Sequence, residues 1–122
     1  MPKLLVDGRH HAGRHLVSLF VRTWDDEGSR NPILTLLRTA TIEPQAAAML
    51  REFMGRLYAP LMDRLRVEQP QLRADLAVSQ LLGLGLVRYL LQAEPLASAA
   101  PEAVVTWVAP TVQRYLTGKL DG

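Results

Sequence analysis

Three groups of side chains have types and spacings that could do chemistry. His11 and His15 lie four residues apart, a separation that brings two imidazoles to one helical face and lets them share a divalent ion, and His10 adjoins them. Asp25, Asp26 and Glu27 gather three carboxylates, a set suited to holding a metal or to acid–base work. Ser18 and Ser79 are candidate nucleophiles. Each group also has a plainer reading. The histidines have no HExxH motif around them, and no cysteine is available to complete a site. Gly8 and Gly13 flank them and suggest a frayed helix start with solvated imidazoles. Gly28 directly follows the carboxylates, as it would in a solvated turn. Neither serine sits in GxSxG, and there is no glycine-rich phosphate loop. No metal ion and no cofactor is expected, and nothing points to catalysis. The alternative is a small helical metal-binding protein or enzyme built on His11, His15 and the acidic turn.

The chain that must position these groups has 122 residues, 48% of them hydrophobic and 21% charged, which is the balance of one folded domain. Its net charge is +2, with a pI near 9.4. The arginines are spread from Arg9 to Arg114 without forming the concentrated patch that nucleic-acid binding requires. The N-terminus lacks the apolar centre of a signal peptide, and the longest apolar run, 81–87, is far short of the roughly 20 residues that span a bilayer. A soluble, cytoplasmic protein without membrane partners is expected.

Apolar residues recur at helical spacing and no segment alternates as a strand would, so the fold class is all-α. The spacing predicts a helix over 13–24 ending in the acidic turn, and a short, mostly buried helix starting at Asn31-Pro32 and carrying Ile33, Leu34, Leu36 and Leu37. A long helix starts at Glu43-Pro44 and runs towards Arg66, with a kink or break at Pro60. A fourth is expected over about 71–93, a loop over 96–100, and a last helix from Pro101 to a stop at Gly118, bent at Pro110.

Gly83 and Gly85 interrupt the apolar fourth helix, where each glycine costs about 1 kcal/mol relative to alanine. On a helical wheel Leu76, Ser79, Gly83, Leu86, Val87 and Leu90 form one stripe, and Val78, Leu82, Gly85 and Tyr89 form another. A helix apolar on two sides must be covered from two sides. The small pair Ser79 and Gly83, four apart, suits close helix approach, so this stripe is expected to face a second chain. The last helix is similar, with Val104, Trp107, Val108, Thr111, Val112 and Tyr115 on the expected interface. Two such helices per chain make a four-helix bundle with a symmetry mate. The contrary reading is the central hairpin of a monomeric bundle.

The segments LLRTATIEPQAAAMLREFM, SQLLGLGLVRYLLQAEPLASA and VAPTVQRYLTG together resemble the C-terminal domain of tetracycline-repressor (TetR) family transcription regulators, over roughly residues 14–118. The resemblance implies a bundle of about five helices. It also implies a cavity for a small hydrophobic effector and a homodimer formed through the last two long helices. DNA would be read only by an N-terminal helix-turn-helix domain, which this sequence does not contain. Residues 1–12 then read as the remnant of a linker helix, 4–8 being its last residues, with 13–118 as the effector-binding and dimerisation domain and 119–122 as a tail. A fragment, an overlooked upstream start and a natural headless regulator all fit, and so does a stand-alone dimerisation module. A cavity in such a bundle is lined by apolar and aromatic groups with a few polar ones. The candidates are Phe20, Trp24, Met49, Phe53 and Leu57, with Arg38 or Gln45 as the polar contact.

Overall fold

In the computed structural model, which describes residues 8–121, five helices account for most of the described residues. A 3-10 turn, Arg9–His11, leads into α1 (Ala12–Asp25), followed by α2 (Glu27–Ala40), α3 (Pro44–Leu65), α4 (Pro70–Gly85) and α5 (Pro101–Thr117). α4 continues without a gap into a π-helical turn, Leu86–Leu90. No strand occurs among the described residues, so the fold is the all-α bundle that the apolar spacing predicts. Of the expected linker remnant, residues 1–12, residues 1–7 lie outside the described residues.

The starts of α3 and α5 follow from proline at the first helical turn, where the missing N–H would have had no helical partner. The start of α2 differs from expectation. Asp26 caps it, its Oδ2 accepting from the Ser29 N–H at 3.0 Å and from Ser29 Oγ at 2.7 Å. The helix therefore begins at Glu27, and Asn31-Pro32 lies inside it. The expected short buried helix is 14 residues long and buries only Leu34. The helical assignment of α3 and α5 runs unbroken through Pro60 and Pro110. Both prolines are exposed, so the carbonyls they leave unpaired open to water instead of breaking the helix.

The core is drawn from α1, α4 and α5, with Val17, Val21, Leu81, Val104, Val112 and Leu116 almost fully enclosed. α1 crosses α5 closely at Gly13. A Cβ there would stand 2.6 Å from the backbone nitrogen of Gln113, and Gln113 Oε1 accepts the Gly13 N–H at 2.7 Å. Gln113 Nε2 also donates to the Arg9 carbonyl at 2.6 Å, and Arg9 Nη1 donates to the Leu65 carbonyl at 2.8 Å. The expected frayed start is thus corrected: Gly13 is a helix-crossing glycine, and the turn before it is tied to both α5 and α3.

Candidate functional site

The glycine pair in α4 divides between the two sides of the helix. Gly85 is buried, and a Cβ on it would overlap the ring of Trp24. Trp24 is 4% exposed, stacks on Phe20 at 4.7 Å between ring centroids and lies 5.8 Å from Tyr89. The Gly83 position faces open space. Gly85 admits an aromatic ring from its own chain, and Gly83 stands open on the other side of the helix.

Around α4 the buried side carries Ala74, Ala77, Val78, Leu81, Leu84 and Gly85. The opposite side, half a turn away at 100° per residue, carries Leu72, Leu76, Ser79, Gly83, Leu86 and Leu90. Leu72 is 47% exposed, Leu86 38% and Val87 37%; Ser79 and Gly83 are exposed, and Leu76 and Leu90 are half-buried. Leu72 extends the stripe by one turn beyond the sequence reading, on the same three- and four-residue spacing. On α5, Gln113 turns towards α1, and the opposite flank carries Trp107, 61% exposed, with Thr111 exposed and Val108 and Tyr115 half-buried. Val104 and Val112 are corrections: both are 0% exposed and belong to their own chain's core. The close α1–α5 crossing seals that side of α5.

The seven candidate ligand contacts do not converge on one space. Phe20 and Trp24 pack against each other and the end of α4, while Arg38 lies exposed on α2 and Gln45 in the first turn of α3. Met49, Phe53 and Leu57 lie four residues apart along α3 and point outward, 65%, 52% and 58% exposed. A groove of about 220 Å³ opens instead between α3 and α4. Met54, Tyr58, Met62, Ala74 and Val78 form its apolar floor, with Arg51, Asp63, Gln71 and Asp75 on its rim. Gly55, Ala59 and Ala74 make room for it, since a larger residue at any of them would fill the gap between the helices. Burial raises the Tyr58 hydroxyl's pKa above the ordinary tyrosine value, so the group stays a neutral hydrogen-bond donor facing an apolar space.

Two buried arginines escaped the sequence reading. Arg73 Nε donates to the Glu68 carbonyl at 2.7 Å and Nη1 to the Tyr115 carbonyl at 3.1 Å, placing positive charge at the C-terminal end of α5, where the helix dipole favours it. Arg88, in the π-helical turn, is 6% exposed. Its Nη1 donates to the carbonyls of Leu96 and Ala99 at 2.7 and 3.0 Å, and Nη2 pairs with Asp25 Oδ1 at 3.4 Å. The Tyr89 hydroxyl donates to that same oxygen. Burial and the Asp25 carboxylate push the Tyr89 pKa up to about 12. The acidic residues are exposed, as a solvated turn requires, but the turn is also a helix junction: Asp25 pairs with the residues that follow α4, Asp26 caps α2 and Gly28 lies within α2. The signal was present in the sequence, since Arg73 and Arg88 fall on the buried side of α4 by helical spacing.

His11 and His15 meet edge to face, with ring centroids 6.3 Å apart. Among the described residues no group of three or more histidine, cysteine or acidic side chains is assembled to hold a metal ion. No helix of the described residues is long and apolar enough to cross a membrane.

No curated protein and no solved structure matches the chain. A family model described as tetracyclin repressor-like, C-terminal domain, matches residues 10–116. This span runs from the 3-10 turn to the last turn of α5 and takes in the α3–α4 groove and both outward apolar stripes. The chain therefore belongs to the tetracycline-repressor-like C-terminal domain family of transcription regulators.

Proposed function

We propose that this domain pairs with a second copy through the outward faces of α4 and α5 and holds a small, largely apolar effector in the α3–α4 groove. In a chain that also carries a DNA reader, it would couple the two. The observation that carries the reading is the position of the α4 stripe. Leu72, Leu76, Gly83, Leu86 and Leu90 lie opposite the buried side of the same helix, where their own chain leaves them exposed or only half covered. Burying such a stripe against its symmetry mate removes apolar area from water at about 25 cal/mol per Å². The open position at Gly83 lets the two helix backbones approach.

α4 also supplies one wall of the groove through Ala74 and Val78. An effector wedged against that wall acts on the helix that carries the interface, and differential affinity for two arrangements of α4 is what an effector needs in order to shift an equilibrium. Met54 and Met62 suit a site that adapts to its occupant, and the Tyr58 hydroxyl offers a donor that orients it. A thermal-shift screen of hydrophobic small molecules tests the groove. Hits are expected with the parent chain and should disappear in Ala74→Leu, which fills the floor from α4. Hits that survive Ala74→Leu would place the effector elsewhere.

A further inference from the structure

A second pocket, of about 370 Å³, lies at the junction of α1, α2 and the end of α4. It is independent of the α3–α4 groove and of the pairing face, and the function proposed above leaves it unused. It is an open depression in the surface, lined by Asp25 from α1, Arg30 from α2, Arg88, Tyr89 and Gln92 from the π-helical turn and the residues after it, and Glu94 from the loop. The guanidiniums of Arg30 and Arg88 each lie 5.3 Å from the centroid of the Tyr89 ring. The Arg88 Nε is fully buried and has no hydrogen-bond partner. With Nη1 on two carbonyls and Nη2 on Asp25, Arg88 is committed within its own chain and fixes the Asp25 carboxylate at the edge of the pocket.

The remaining hydrogen-bonding capacity is of both signs. Arg30 uses Nη1 on the carbonyls of Trp24 and Asp25, which leaves its other nitrogens free to donate. Asp25 is engaged through Oδ1, and Glu94 through Oε1, which accepts from the N–H and hydroxyl of Ser98 at 2.8 Å each. The second oxygen of each carboxylate is unused. Two guanidiniums and two carboxylates give the lining no net charge. A free anion would be repelled by Asp25 and Glu94, and a free cation by the arginines. A molecule carrying an acceptor group and a cationic donor a few bonds apart satisfies both sets at once.

We propose that this pocket binds a small zwitterion of the α-amino-acid type, its carboxylate towards Arg30 and its ammonium between Asp25 and Glu94. The π-helical turn is part of the design. Its extra residue per turn brings Arg88 and Tyr89 together beside Asp25, and such turns recur at functional sites.

The test is a thermal-shift and calorimetric comparison of the common L-amino acids, each with its carboxylate-amidated and N-acetylated counterpart, with sodium sulfate as an anion probe. At least one free amino acid is expected to bind, and masking either charge should weaken it by about ten-fold or more, the usual effect of losing a charged hydrogen bond. Arg30→Met should weaken the free amino acid but not its amidated form any further. Glu94→Gln should do the same with respect to the N-acetylated form. Both side chains lie at the rim, and circular dichroism checks that the fold is retained. Binding of no amino acid at millimolar concentration, equal binding of the masked forms, or tight binding of sulfate would overturn the proposal.

Discussion

Replacing each of the two glycines of α4 by alanine, separately, should move stability in opposite directions. At Gly83 an added methyl meets nothing within its own chain, so alanine gains only its advantage as a helix former, about 1 kcal/mol. At Gly85 the same gain is opposed by overlap with the Trp24 ring. That ring cannot swing aside, because it is nearly enclosed, stacked on Phe20 and in tilted contact with Tyr89. Overlap with three ring atoms places the cost in the upper part of the overpacking range, about 2 to 3 kcal/mol, so the net effect at Gly85 is a loss of roughly 1 to 2 kcal/mol. Thermal melts followed by circular dichroism at low protein concentration, where single chains predominate, should show Gly83→Ala a few degrees above the parent and Gly85→Ala a few degrees below. At high concentration the Gly83→Ala advantage should shrink, because the methyl now stands between two paired helices. A Gly85→Ala chain as stable as the parent would refute the packing assignment. A Gly83→Ala advantage that persists unchanged at high concentration would refute the close pairing.

The crossing of α1 and α5 offers a harsher test. Gly13→Ala presses a methyl against the Gln113 backbone, which cannot rotate away, so a loss of about 2 to 3 kcal/mol in urea unfolding is expected, larger than at Gly85. Tyr89 predicts an alkaline effect. Its folded pKa, about 12, lies above the ordinary tyrosine value of 10.0, so the neutral phenol stabilises the fold at all pH values below about 10, and the contribution fades as pH rises towards 12. Tyr89→Phe, which cannot ionise, should flatten that part of the stability–pH curve; an unchanged alkaline slope would argue against the Tyr89–Asp25 contact.

Much of the bundle was readable because its punctuation is chemical. Pro44 and Pro101 announce α3 and α5 through a backbone nitrogen that needs no partner, and the stop at Gly118 is where α5 ends. Asn31-Pro32 carries the same signal and misleads, because Asp26 reaches Ser29 first and starts the helix early. Helical spacing separated the two sides of α4 but said nothing of which neighbour covers each, and this depends on the close crossing at Gly13. Val104 and Val112 were misplaced for that reason, since the α1 backbone comes near enough to enclose them. The effector candidates failed in the same way. Large apolar side chains suggest a cavity lining, but a cavity is made by what is absent. The α3–α4 groove exists where Gly55, Ala59 and Ala74 leave space, and its walls are the residues next to those. Arg73 and Arg88 show the converse limit: both sit on the buried side by spacing, and only the positions of distant carbonyls explain why charge is tolerated there.

Sedimentation velocity of the parent chain and of a Leu86→Arg/Trp107→Arg double variant, over a micromolar concentration series, bears most directly on the pairing face. Both side chains are exposed and make no core contact that folding requires. The parent should sediment as a dimer. The variant should sediment as a monomer with an unchanged helical spectrum. A parent chain that stays monomeric throughout the series, or a variant that dimerises as well as the parent, would contradict the assignment of α4 and α5 as the pairing surface.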